Sequence, residues 1–178
     1  MLPTGWCIRL AKNKLLLREV ALFGILGAMT FGAKVVMASL PNIEPVSLLV
    51  MVYAAVFGKK CLYPIYVYVM LEILLYGLGP WNIMYLYIWA LLALFAWLLR
   101  KATHPLWWAV LSGSFGLAFG ALCAPVDVAM GGFGYAYSKW VSGIPFDLTH
   151  CIGNFAIALL MFAPMRLLLE KLYRRMLL

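Results

Sequence analysis

The chain has 178 residues, 66% of them hydrophobic and 11% charged, with a mean hydropathy of +0.98. Soluble domains run at roughly 45–50% apolar and about 25% charged, so a water-soluble globule is excluded, and so is disorder, which needs low hydrophobicity. The net charge of +8 reads as membrane topology rather than nucleic-acid binding, because basic residues stay on the cytoplasmic side of a membrane.

A spanning helix needs roughly 20 apolar residues. The pattern predicts an all-α integral membrane protein with six transmembrane helices in a single domain over residues 1–178. Spans are expected at about 20–40, 45–58, 62–77, 83–99, 106–124 and 146–168. The first follows a basic stretch (Arg9, Lys12, Lys14, Arg18) and is too long for a signal-peptide core. Pro41-Asn42-Ile43-Glu44-Pro45 interrupts the chain, and Pro45 suits the first turn of the second helix. That helix is short, which implies tilt or an end tucked inside protein. Lys59-Lys60 links it to the third. A turn at Leu78-Gly79-Pro80-Trp81-Asn82 precedes the fourth helix, and Arg100 to His104 separates it from the fifth, which Pro105 opens. Pro125 is expected to end the fifth helix, leaving 125–145 as an outer lid loop with Gly131 and Gly132 as bending points. Pro145 then opens the sixth helix, and Pro164 is a candidate kink.

Charge supports this count. Six spans place twelve of the fourteen Lys and Arg residues on one side, leaving Lys34 and Lys139 as exceptions. Both termini are therefore expected in the cytoplasm. There is no room for an ATPase, so energy must come from a partner or an ion gradient.

Polar groups concentrate in the expected outer half: Lys34, Glu44, Glu72, Asp127, Lys139, Asp147, His150 and Asn154. Charge within a bilayer is costly and usually lines a cavity or pairs. A water-accessible pocket open to the outside accounts for the pattern. Lys34 and Glu72 are at similar depth and fit either a structural pair or ligand contacts. Glu44 fits a helix cap as well. Asp147, His150 and Asn154 share one helical face, which suits either a ligand or an interhelical hydrogen-bond network. His104 reads as a loop or capping residue. Trp81, Tyr85, Tyr87 and Trp89, with Phe133, Tyr135, Tyr137 and Trp140, fit interfacial belts or stacking against a flat ligand.

Four-residue ladders of small side chains run through Gly24, Ala28 and Gly32 and through Ser112, Gly116, Gly120 and Ala124. Such ladders let helices approach closely, within the bundle or against a partner. Cys7, Cys61, Cys123 and Cys151 form no CxxC pair and no zinc spacing. No nucleotide, protease or hydrolase motif is present. The expectation is a non-catalytic protein without cofactor or metal and without affinity for nucleic acid.

The chain resembles the substrate-binding S-components of energy-coupling factor (ECF) vitamin transporters along essentially its whole length. The resemblance is carried by the first small-residue ladder, Leu40-Pro41-Asn42-Ile43-Glu44-Pro45-Val46, Phe57-Gly58-Lys59-Lys60, and Leu71-Glu72 through Tyr76-Gly77. Tyr85-Leu86-Tyr87-Ile88-Trp89 and Gly143-Ile144-Pro145-Phe146-Asp147-Leu148-Thr149-His150 add to it. It implies a subunit of the bacterial plasma membrane that captures a vitamin outside and joins a membrane T-component and two cytoplasmic ATPases. The depth of these groups in the bundle makes Glu72, Trp81, Tyr85, Asp147, His150 and Asn154, with Lys34 as an addition, the expected substrate contacts. The family docks through an Ala-x-x-x-Ala ladder on its first helix, matched here by Gly24, Ala28 and Gly32, of which one is alanine. The cobalamin-type members are most similar. Queuosine-precursor and other vitamin members are alternatives, as is a self-sufficient small secondary transporter, although no internal repeat is evident.

Overall fold

A computed structural model describes residues 4–39 and 44–177, with side chains from Leu16 onward. Among these residues all regular structure is helical. The order is α1 (Thr4–Val36), α2 (Val46–Phe57), a 3-10 turn (Gly58–Cys61), α3 (Leu62–Tyr76), α4 (Pro80–Leu98) and a second 3-10 turn (Leu99–Lys101). A last helical run, Pro105–Leu177, is broken at Gly132 (φ 79, ψ 178), giving α5 over 105–131 and α6 over 133–177. Four runs are long and apolar enough to cross a membrane: Leu16–Val36, Val46–Tyr76, Pro80–Lys101 and Pro105–Leu177.

Side-chain pairings fix the helix directions. Glu19 meets Lys60 and Lys34 meets Glu72, so α1 and α3 run parallel. Phe23 packs on Phe57 while Thr30 bonds Tyr53, so α2 runs against α1. Trp108 stacks on Phe162 at 3.9 Å and Asp127 pairs with Lys139, so α5 and α6 form an antiparallel hairpin about Gly132. α2 is the central rod, with ten of its twelve residues buried.

Close approach sets the seams, since lipid tails are as apolar as the side chains and association rests on packing. A Cβ on Gly27 would lie 2.6 Å from the Val67 side chain and 2.8 Å from the Pro64 carbonyl. Only glycine lets α1 and α3 touch there. At Gly58 and Gly77, φ values of 58° and 80° let the chain leave α2 and α3 through conformations that other residues adopt at a cost.

One expectation is corrected. The outer lid loop at 125–145 is helical on both sides of Gly132, and α6 begins at 133 rather than near 146. Pro125, Pro145 and Pro164 all lie inside helix. Proline removes one backbone hydrogen bond, but membrane helices tolerate it where neighbouring groups re-satisfy the backbone. One turn before Pro125, the Tyr87 hydroxyl donates to the Leu122 carbonyl at 2.6 Å. Punctuation by proline misplaced the boundary, and the turn sits where positive φ is required. α4 also starts at Pro80, three residues before the expected 83, with Pro80 in its first turn. The Leu40-Pro41-Asn42-Ile43 part of the interhelical segment and the side chains of Cys7, Arg9, Lys12 and Lys14 lie outside the described residues.

Candidate functional site

Two clefts open at the end of the bundle where α1 and α3 finish and α4 starts. The first, about 310 Å³, is lined by Lys34, Glu72, Tyr76, Trp81, Asn82 and Tyr85. The second, about 350 Å³, is walled by Phe119, Asp127, Lys139, Trp140, Asp147 and His150. Trp81 belongs to both and forms the partition between them. Six of the seven expected substrate contacts thus lie at this mouth, divided between two spaces.

The clefts share a motif: a lysine bound to a carboxylate and laid over an aromatic ring. Lys34 Nζ donates to Glu72 Oε2 at 2.9 Å and to the Tyr85 hydroxyl at 3.4 Å, and stands 5.0 Å from the Tyr85 ring centre. Lys139 Nζ donates to Asp127 Oδ1 and stands 4.9 Å from the Trp81 ring and 5.7 Å from the Tyr135 ring. Asp147 accepts the Gly120 N–H through both oxygens, at 3.1 and 3.2 Å. A Cβ at Gly120 would sit 2.5 Å from that carboxylate, so glycine makes room for the contact. Glu44, half-buried at the foot of α2, has its carboxyl pushed up by burial, with Lys34 opposing and Glu72 reinforcing the shift.

Aromatic rings floor the mouth. Tyr68 packs on Tyr85 and Trp89, Trp89 on Phe115 and Phe119, and Phe119 on the His150 ring at 5.1 Å. Tyr68 and Trp89 are fully buried, yet the Tyr68 hydroxyl and the Trp89 indole N–H have no hydrogen-bond partner. Glu72 Oε1 also lacks one. The sequence reading passed over Tyr68, Asp127 and Lys139 as site residues. Spacing held the signal for the first: Tyr68–Glu72 and Tyr85–Trp89 are both i,i+4 pairs, each sharing a helix face. Asp127 and Lys139 are brought together only by the hairpin at Gly132.

Asn154 departs from the expected site. It donates to Ser47 Oγ at 3.0 Å and to the Ser112 carbonyl at 3.4 Å, tying α6 to α2 and α5 in the core and lining neither cleft. This is the interhelical network that its spacing equally allowed. His104 caps α5, its Nδ1 accepting the Leu106 N–H at 3.2 Å. Cys61 and Cys123 are free and buried and Cys151 is free and half-buried, and no metal-binding group of His, Cys, Asp or Glu occurs among the described residues.

The opposite end, here the closed end, is held by an ion cluster and keeps one side cleft of about 270 Å³ between α5 and α6, lined by Thr103, Trp108, Phe162, Arg166 and Glu170 among others. Glu19, 8% exposed, accepts Lys60 Nζ at 2.7 and 2.8 Å and the Tyr173 hydroxyl at 2.5 Å, drawing α1, the 58–61 turn and α6 together. A wider concavity, about 810 Å³, lies on the flank of α3 among Tyr63, Tyr66, Met70 and Leu74, with Lys59 and Lys60 at one end. Most of its walls are exposed apolar side chains, and it holds no carboxylate.

The two small-residue ladders separate. A Cβ at Gly116 would lie 2.8 Å from the His150 carbonyl, so the α5 ladder is internal packing of the hairpin. A Cβ at Gly24 or Gly32 meets nothing within 4 Å, and Ala28 is exposed, so the α1 ladder faces away from the bundle. No family model matches the chain, and neither a curated protein nor a solved structure matches it.

Proposed function

We propose that the chain is the substrate-capture subunit of an ECF-type importer in the bacterial plasma membrane, binding a vitamin-like heterocycle from outside for ATP-driven uptake. In this reading it crosses the membrane six times with both termini cytoplasmic and performs no catalysis itself. The alternating helix directions and the basic residues gathered at one end support the topology. The observation that carries the function is the asymmetry of the bundle. Two polar clefts over an aromatic floor open at one end, while at the other Glu19, Lys60 and Tyr173 tie α1, the 58–61 turn and α6 together. A capture protein needs a site and no through-path, whereas a self-sufficient transporter needs access from both sides.

The bare Gly24, Ala28, Gly32 face of α1 supports docking of a membrane partner by close helix approach. Cleft size bears on the ligand. Small-molecule pockets span roughly 300–1,000 Å³, and clefts of about 310 and 350 Å³ suit one or two fused rings each. That favours a ligand of queuosine-precursor size over cobalamin, which would have to spread across both clefts and displace Trp81 between them.

The test of function is mass spectrometry of small molecules that co-purify with the protein, paired with uptake assays. Uptake is expected only when a T-component and its ATPases are co-expressed, and uptake without them would overturn the reading. Topology is tested separately in a background without native cysteines. Lys59→Cys and Lys101→Cys are expected to label only from the cytoplasm, and Tyr137→Cys only from outside. External labelling at position 59 would refute six spans.

A further inference from the structure

We infer that the mouth is built for a positively charged, planar ligand, an amine- or amidine-bearing ring, with Glu72 as its principal anchor. This deepens the capture reading and rests on it.

The six acidic residues of the chain are Glu19, Glu44, Glu72, Asp127, Asp147 and Glu170. Two are consumed at the closed end, Glu19 by Lys60 and Tyr173 and Glu170 by Arg166. The other four gather at the mouth: Glu72, Asp127 and Asp147 line the clefts, and Glu44 lies within electrostatic reach of Lys34 and Glu72. Only two lysines accompany them, Lys34 and Lys139, each already bound to one carboxylate. The second cleft therefore has two carboxyl groups against one ammonium, and the first sets Glu72 against Lys34, with Glu44 outside its lining. In a chain of net charge +8, the residues that line the mouth are formally negative by one.

Charge alone does not define a site. The independent observation is Glu72, whose side chain is 5% exposed. Its Oε2 is held by Lys34, while Oε1, equally buried, has no partner and belongs to a residue lining the first cleft. A buried carboxylate oxygen is an acceptor only, and leaving it without a donor is costly. Around it stand Tyr76, Trp81 and Tyr85, whose ring faces attract cations. An amidinium or ammonium group satisfies both demands. It gives Oε1 a charge-assisted hydrogen bond and sets its positive charge against aromatic faces, as Lys34 and Lys139 already do within the fold. A carboxylate or phosphate ligand would meet the same oxygen as a repulsive neighbour.

The experiment uses the full-length protein in nanodiscs and three probes of one shape: benzamidinium, benzamide and benzoate. Saturation-transfer NMR reads their binding. Benzamidinium is expected to bind at least about tenfold more tightly than benzoate, in keeping with a charge-assisted bond against a like-charge contact. Glu72→Gln is expected to remove most of that difference. If the variant does not give folded protein, the wild-type order decides: benzamidinium is expected to bind more tightly than benzamide, and benzamide more tightly than benzoate. Equal or preferential binding of benzoate, a preference that survives Glu72→Gln, or no binding of any probe would each overturn the inference. The capture reading fails differently. A neutral or anionic molecule that co-purifies and is imported leaves capture standing and removes the charge preference.

Discussion

The two ends of the bundle carry the same ion pair in two states of completion. At the closed end, Glu19 has both oxygens occupied by Lys60 and one shared with Tyr173. At the mouth, Glu72 has one oxygen on Lys34 and the other without a partner, although its side chain is less exposed than that of Glu19 (5% against 11%). Burial alone does not explain the difference, because the more buried carboxylate is the less satisfied. What differs is the third group. A tyrosine from α6 completes Glu19, whereas beside Glu72 the Tyr85 hydroxyl is turned to the lysine instead. The saturated pair serves as a fastening, and the unsaturated one leaves a carboxylate oxygen without a donor on a residue that lines the first cleft.

The comparison breaks most severely through the seam that joins the two ends. Gly27→Leu would drive a side chain into Val67 and the Pro64 carbonyl, and overpacking against backbone costs several kcal/mol. No monodisperse protein is expected on gel filtration; normal yield would mean the α1–α3 seam is looser than described. Next in size is Glu19→Ala. It leaves Lys60 and Tyr173 without their acceptor, and with Lys60 half exposed the expected loss is about 1–3 kcal/mol. Thermal unfolding in detergent should show it, with binding at the mouth retained. Tyr173→Phe removes one hydroxyl from the same fastening and is expected to cost about 0.5–1.5 kcal/mol in the same measurement.

Smallest for stability is Glu72→Gln. Its amide keeps an acceptor for Lys34, so the melting temperature should move little while ligand binding falls. A large stability loss there would make the Lys34–Glu72 pair a fastening like that of Glu19 and dissolve the contrast. Gly24→Leu and Gly32→Leu test the bare face of α1 independently. Each should leave folding and ligand binding near wild type and abolish partner-dependent uptake, and loss of binding along with uptake would place the ladder inside the fold.

Much of this was legible in the sequence because the controlling terms are local. Composition announced helices apolar enough to cross a membrane, and the polar residues from Lys34 to His150 marked one end of the helices. The i, i+3, i+4 spacing put Asp147, His150 and Asn154 on one face but gave no depth. Only the packing of α6 on α2 and α5 separates Asn154, bonded to Ser47, from His150 in the cleft. The lid was misread because proline is a strong breaker in water and a tolerated residue in a bundle. Gly132 carried the turn, yet it looks no different in sequence from Gly131 beside it. The gap in the coordination of Glu72 was beyond sequence altogether, since it depends on where a tyrosine hydroxyl points.

The fastening at the closed end also bears on the order of assembly. α5 and α6 are neighbours in the chain and close as a hairpin with little loop entropy to overcome. The bond between Glu19 and Tyr173 joins residues 154 positions apart, and it forms only once the last helix has packed against the first. It therefore couples the two ends of the chain: without the final helical turns, Glu19 loses the Tyr173 hydroxyl and is held by Lys60 alone.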